Sequence, residues 1–311
     1  MKIQHKNILI LLVLIIISFT CMFFVNFSEE KQPQKPPAST PYTIEIKQLY
    51  IPDTIKLFNE PVPVHNFDIR ESLERELLVN VYWQSQTTMF FKKVGRYFPI
   101  IEHVLEKNNI PTDFKYLALA ESGFLQDVSP AGATGYWQFL KKTALEYDLT
   151  VNRYIDERYD IEKSTEAACK YFQKAYIRFG SWALAAASYN VGMFGLSKQL
   201  DYQEIDSFYD LHTNSQTGRY VFRILALKLI IENPEKYGYF LNPDEKYHMP
   251  EYTTYTIDTA ISDVTQFAKK VHSNYKMVRI MNPWIRSTSL PSPKDDPYQI
   301  RIVTENDRKF Q

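Results

Sequence analysis

Cysteine is nearly absent. Cys21 and Cys169 are the two in 311 residues, which excludes a disulfide framework and a four-thiolate metal site. Neither sign of charge is in excess. Lys plus Arg and Asp plus Glu number 36 each, so the chain lacks the electrostatic footprint of a general nucleic-acid binder. There is no internal repeat. His65, His103, His212, His248 and His272 are scattered rather than set at ligand spacing, and they read as ordinary surface or core residues. The length allows about two domains and a sizeable core.

One long apolar run is present. Residues 7–28 carry no charge, Ile8 to Val25 is almost wholly aliphatic or aromatic, and Lys2 and Lys6 precede it. A helix of ~20 apolar residues spans a bilayer, and basic residues before it favour an inside N-terminus. The run continues through Met22-Phe23-Phe24-Val25 without the small residues of a cleavage site, so residues 1–28 read as a retained anchor ahead of a signal peptide. Cys21 raises a lipoprotein alternative, but Ser18-Phe19-Thr20 is a poor approach to a lipidated cysteine and apolar residues follow it. Residues 29–42 form a Pro-rich polar linker that would hold the remainder off a membrane surface.

From about residue 67 the spacing turns helical. Ile69, Leu73, Leu77 and Leu78 share a face, a helix opens at Arg96-Tyr97-Phe98-Pro99, and another runs from Asp113 to Glu121 and stops at Gly123. Ser164 to Phe179, Trp182 to Asn190 and Tyr220 to Glu232 continue the pattern, so residues 43–245 read as one mainly α domain with its core at about 96–240. Residues 250–305 differ. Tyr252 to Ile257 and Tyr298 to Val303 alternate as strands do and flank a helical Ile261 to Val271, which predicts a small α+β module.

Glu121 has the most to explain. Phe114, Leu117 and Ala118 lie seven, four and three residues before it, so it falls on the apolar face, in the last turn where the helix dipole is negative. Both influences raise a carboxyl pKa, and a proton-bearing acid near neutral pH suits general acid catalysis at a glycosidic oxygen. The plainer alternative is a surface Glu at a frayed helix end. Small and Gly-rich turns in Ser129 to Gly135 then present Tyr136-Trp137-Gln138-Phe139, and Ser188-Tyr189-Asn190-Val191-Gly192 supplies a second cluster at a helix end. Aromatic faces stack on sugar rings and amides bond their substituents, although core packing competes for Trp137 and Tyr189.

These segments resemble the lytic transglycosylase family with its lysozyme-like catalytic domain, most closely the D-type membrane-bound murein transglycosylases. The resemblance runs through Arg96 to Ile101, Glu121-Ser122-Gly123-Phe124, Ser129 to Ala133, Gly135 to Phe139, Tyr154 to Asp160 with Glu162 to Thr165, Ala187 to Gly192, Gln216 to Val221 and Asn233 to Gly238. It implies that Glu121 is a single catalytic acid/base, that Gln138, Tyr189, Asn190 and Tyr220 line a sugar groove, and that Ser129 helps orient the substrate. Tyr136, Ser188 and the run Gln216-Thr217-Gly218-Arg219 depart from the family pattern. The tail is similar to a LysM-type glycan-binding module, with a structural cap as the alternative.

The resemblance further implies cleavage of the bond between N-acetylmuramic acid and N-acetylglucosamine in peptidoglycan strands, in a bacterial envelope, with the catalytic domain in the periplasm and with no metal or cofactor. Nucleic acid is not an expected partner. A goose-lysozyme-like hydrolase would need a second carboxylate, from Asp127 or the segment Asp156 to Glu162. Asp156, Glu157 and Asp160 read more simply as loop and capping residues. A third reading is a non-catalytic peptidoglycan-binding protein, against which the retained Glu121 argues.

Overall fold

Residues 48–304 and residue 308 are described by the computed structural model of the chain. The candidate anchor at 1–28, with Cys21, and the linker at 29–42 lie outside the described residues. Among the described residues no helix is long and apolar enough to cross a membrane.

The helical spacings form α1 (Phe67–Tyr82), α2 (Gln84–Lys107), α3 (Phe114–Ser122), α4 (Lys141–Glu146), α5 (Ile161–Phe179), α6 (Trp182–Val191), α7 (Met193–Gln203) and α8 (Ser215–Glu232). Ile69, Leu73 and Leu77 are buried, whereas Leu78 is exposed, because it falls about 100° around the helix from Leu77 and off the stripe. The helix expected to open at Arg96 starts at Gln84 instead. Pro99 forfeits one backbone hydrogen bond. The helix nevertheless runs through it, because Phe90, Phe91, Val94, Phe98, Ile101 and Leu105 make one continuous buried face. Likewise α8 starts before Tyr220, at a cap where Asn214 Oδ1 accepts from the N–H groups of Gln216 (3.1 Å) and Thr217 (3.0 Å).

The core sits among α3, α5, α6 and α8. Phe114 and Phe172 rings lie 4.0 Å apart, and Trp137 meets Phe172 at 5.8 Å. α6 buries Ala183, Ala185, Ala186 and Ala187, and such small side chains let α5 and α8 approach it closely. α1 packs along α8.

A hairpin that carries no strong alternation was not legible in the sequence. β1 (Ile55–Leu57) pairs antiparallel with β2 (Glu60–Val62) across Phe58-Asn59, both at positive φ (55° and 67°), as a two-residue hairpin turn demands. Phe58 is fully buried, stacks on Phe114 at 4.2 Å and donates its N–H to Asp113 Oδ2 at 2.8 Å. Asp113 in turn pairs with Lys228 of α8 at 2.7 Å. Glu60 reaches the start of α6, accepting from the N–H groups of Trp182 (2.6 Å) and Ala183 (3.1 Å). A carboxylate on these free N–H groups stabilises the helix by about 1 kcal/mol.

The C-terminal module is strand, two helices and strand: β3 (Thr253–Ile257), α9 (Val264–Lys270), α10 (Tyr275–Met281) and β4 (Tyr298–Ile302), with Thr253 opposite Ile302 and Ile257 opposite Tyr298. The helix expected over Ile261 to Val271 is present as the shorter α9, and α10 is a further helix beyond it that was not expected. His272 at φ 54° breaks the run, and Asn274 caps the second helix by accepting from Met277 N–H at 3.0 Å. Val264, Ala268, Val278, Ile285, Ile300 and Ile302 form the module's core, which Ile155 and Tyr159 of the helical domain complete. Backbone bonds from Asp156 N to Trp284 O (2.9 Å) and from Arg286 N to Tyr154 O (2.7 Å) seal the seam, as does an Arg301–Glu162 ion pair at 2.7 Å.

Ile155→Ala, a change in the helical domain, is therefore expected to loosen the module. The cost should be roughly 2–5 kcal/mol, and hydrogen exchange should rise in β3 and β4 before it rises in α5.

Candidate active site

Phe114, Leu117 and Ala118 are fully buried and anchor α3, so Glu121 emerges at its last turn. Gly123 takes the left-handed φ of 52° that ends the helix, and its N–H bonds the Leu119 carbonyl at 2.8 Å. A cation completes this end, since Lys93 Nζ donates to the Gly123 carbonyl at 2.8 Å. Ser122 Oγ ties the same turn to the following loop, donating to the Tyr136 carbonyl at 2.9 Å and accepting from Phe124 N–H at 3.0 Å.

Glu121 is half-buried rather than sealed on the apolar face, which leaves one edge open to a ligand. Burial raises its pKa above the ordinary 4.5, opposed by a hydrogen bond from Tyr220 and by the Arg223 charge. The Tyr220 hydroxyl of α8 donates directly to Glu121 Oε1. Tyr189 of α6 is close enough that the charge of Glu121 raises its pKa, second to burial. Both phenols are pushed well above 10 by burial, so they remain proton donors beside the carboxyl.

The loop after α3 is folded by short antiparallel bridges, Val128 to Thr134 and Thr134 to Phe139. Ser129 Oγ accepts from Ala133 N–H at 3.0 Å, so among the described residues this serine is engaged within its own loop and not with Glu121. Gly135, at φ 81°, lies against the Arg158 backbone, and a β-carbon there would come within 1.9 Å of the Arg158 carbonyl oxygen. Arg158 clamps the loop from below, donating to the carbonyls of Gly132 (3.2 Å) and Phe139 (3.0 Å) while paired with Asp156 at 2.7 Å. Gln138 sits at φ 50°, a conformation costly for a residue with a side chain, and its amide donates to the Gly135 carbonyl at 3.0 Å.

Trp137 points the other way. It is fully buried, bonded through Nε1 to Thr165 Oγ1 at 2.9 Å, and is core rather than a sugar platform. Its carbonyl accepts from the Tyr189 hydroxyl at 2.7 Å, which joins α6 to the loop beside Gln138. Asn190 Oδ1 accepts from Thr217 Oγ1 of α8 at 3.4 Å. Loop, α3, α6 and α8 thus meet around Glu121.

The acidic segment that could have supplied a second carboxylate is occupied. Asp156 holds Arg158, Glu157 accepts from Thr150 N–H at 2.6 Å and pairs with Lys163, Asp160 caps α5, and Glu162 pairs with Arg301. Asp127 is exposed. Among the described residues no cluster of His, Cys, Asp or Glu has metal-ligand geometry.

The departures from the family pattern are absorbed locally. Tyr136 is buried between Tyr97 (5.4 Å) and Phe124 (6.5 Å), and Ser188 satisfies its hydroxyl on the Ala185 carbonyl at 2.7 Å. Arg219 reaches the fully buried Glu76 of α1 at 2.5 Å. Glu76 went unread in the sequence, although it is a charged member of the buried stripe formed by Ile69, Leu73 and Leu77. A cavity of about 650 Å³ lies elsewhere, at the seam between domain and module, walled by Tyr97, Tyr136, Trp284 and Arg301. Glu121 does not line it.

Residues 98–211 match the Transglycosylase SLT domain, and residues 253–306 match the Soluble lytic transglycosylase C-terminal LysM-like domain. The first span holds Glu121, Ser129, Gln138, Tyr189 and Asn190, while Tyr220 falls beyond it. Membrane-bound lytic murein transglycosylase D of Escherichia coli is 31% identical over 179 residues, 56% of this chain and 39% of the relative. The same-named protein of a second strain of that organism matches equally. The chain thus spans well under half the length of these curated relatives. It joins a transglycosylase SLT domain to a LysM-like domain of the soluble lytic transglycosylase C-terminal type, and it is homologous to the membrane-bound lytic murein transglycosylases D.

Proposed function

We propose that this chain is a peptidoglycan lytic transglycosylase in which Glu121 is the single general acid and base. The observation that carries the reading is a half-buried carboxyl with a raised pKa, bonded by Tyr220 and lying within the span matched to the SLT domain. Glu121 gives its proton to the oxygen linking N-acetylmuramic acid to N-acetylglucosamine as the bond from that oxygen to the muramoyl anomeric carbon breaks. The carboxylate left behind takes the proton of the muramoyl 6-hydroxyl, whose oxygen bonds the same carbon. A 1,6-anhydro ring closes and Glu121 is again protonated. No water is consumed, since the nucleophile is already held in the substrate.

The engagement of Asp156, Glu157, Asp160 and Glu162 in caps and ion pairs favours this scheme over a hydrolysis that needs a second carboxylate. Tyr220 orients Glu121, Gln138, Tyr189 and Asn190 line the sugar groove, and Ser129 shapes the loop that borders it. Residues 43–245 form the catalytic domain and residues 250–305 a LysM-like module that also caps it. Residues 1–28 anchor the chain in a membrane, with the catalytic domain in the periplasm. The apolar run and the printed name of the relatives support that placement.

Digestion of purified sacculi by the full chain should release muropeptides with anhydromuramoyl ends, lighter by one water than hydrolysed products. Glu121→Gln should lower release by roughly 10²–10⁴-fold, and reducing ends in the products would indicate a hydrolase instead. Tyr220→Phe removes a hydrogen bond that favours the ionised carboxyl. The alkaline limb of its kcat profile should therefore move to higher pH while kcat falls.

Glu121→Gln should also stabilise the fold, in a pH-dependent way. Burial raises the Glu121 pKa above its ordinary 4.5, so the fold favours the protonated acid. That contribution is full below the ordinary value and is lost as pH rises through the folded one. Thermal melting should separate the two proteins at alkaline pH and converge in acid.

A further inference from the structure

One arginine lies close enough for its charge to be felt at the Glu121 carboxyl, a dangerous arrangement for a general acid. Arg219 and Arg223 flank Tyr220 on α8, and Arg223 follows Tyr220 by three residues, on the same face of the helix. The Arg223 charge is felt at both Glu121 and Tyr220. A guanidinium that reached Glu121 would hold it ionised and leave no proton to donate.

Across from them, on α1, lies Glu76, whose side chain is 1% exposed. Its Oε1 meets Arg219 Nε at 2.5 Å and its Oε2 meets Arg223 Nε at 3.7 Å. Arg219 and Arg223 are one turn apart, so a single carboxylate faces both. The second hold is the looser, since Oε2 receives no hydrogen bond and the Arg223 side chain is 38% exposed. A charged pair that merely stabilised two helices could sit at the surface. A carboxylate sunk among apolar neighbours is costly to desolvate, and such a group is expected to serve specificity or function as well as stability.

We propose that Glu76, itself anchored by Arg219, is a positioning residue that draws the Arg223 guanidinium away from Glu121 and so preserves Glu121 as a proton-bearing acid. This inference rests on the reading of Glu121 as the catalytic acid. The other groups near Glu121 are Tyr220 of α8, which donates to it, and Tyr189 of α6, whose hydroxyl donates to the Trp137 carbonyl. Lys93 of α2, at the same helix end, is already held on the Gly123 carbonyl and has its own charge disfavoured by burial. Arg223 is thus the cation to restrain.

The test compares Glu76→Gln, Arg223→Gln and the double variant with wild type on purified sacculi, each across pH. Glu76→Gln should move the alkaline limb of kcat down by about one pH unit, a tenfold loss of protonated acid above the midpoint. Arg223→Gln should move it up, and the double variant should follow Arg223→Gln, because the released cation is gone. A general loss of packing would lower kcat without moving the limb and would not be relieved by removing Arg223. An unmoved limb in folded Glu76→Gln, or a double variant that stays with Glu76→Gln, overturns the proposal. Should Glu76→Gln not fold, Arg223→Gln decides alone, because its half-exposed side chain can be replaced without opening the core, and an unmoved limb refutes the idea.

A substrate-free measurement separates this inference from the functional reading. The pH at which the stabilisation by Glu121→Gln levels off should fall by the same amount in the Glu76→Gln background. Failure of wild type to release anhydromuropeptides would sink the transglycosylase reading, while this melting difference would still judge the role of Glu76.

Discussion

A carboxyl group that must keep its proton cannot be fully solvated, yet it must touch a substrate. In the proposed reading of Glu121, that opposition governs the helical domain. The end of α3 satisfies it by burying Phe114, Leu117 and Ala118 and letting Glu121 emerge at the final turn, half covered by Tyr220 and Tyr189. Burial disfavours the anion, the Tyr220 hydroxyl and the Arg223 charge favour it, and burial outweighs them, so the pKa is raised.

Each element that meets Glu121 is fixed by a polar group supplied from elsewhere in the chain. Glu60 caps α6, Asp113 receives the hairpin and Lys228 of α8, Arg158 clamps the loop of Gln138, and Glu76 pairs with the arginines of α8. These buried ionic contacts add little net stability, because desolvation offsets much of the attraction. Their worth is geometric. Removing one partner would leave an uncompensated charge, so the four elements are held in one arrangement.

What could be read beforehand follows from period and punctuation. The stripes of α1, α5 and α8, the stop at Gly123 and the break at Asn233-Pro234 are local signals, and Glu121 stood out as an acid on an apolar face. The hairpin at Ile55–Val62 was invisible, because three-residue strands carry too little alternation. Pro99 misplaced the start of α2, since tertiary burial outweighed one lost hydrogen bond. Trp137 looked as available for sugar stacking as for packing, and only the Thr165 bond and the surrounding rings decide between them. Glu76 and Arg158 act across more than a hundred and about twenty residues respectively, and no spacing rule reaches that far.

The machinery around Glu121 overflows the stretch that defines the domain by likeness. Tyr220, Arg223 and Lys228 follow residue 211, while Glu60 and Glu76 precede residue 98. Ile155 and Tyr159, inside the stretch, belong to the core of the module beyond it. The heritable unit of this fold is therefore larger than its recognisable signature. A graft trimmed to that signature would part Glu121 from the Tyr220 hydroxyl and the Arg223 charge that temper its acidity, and would lay two apolar side chains bare to water.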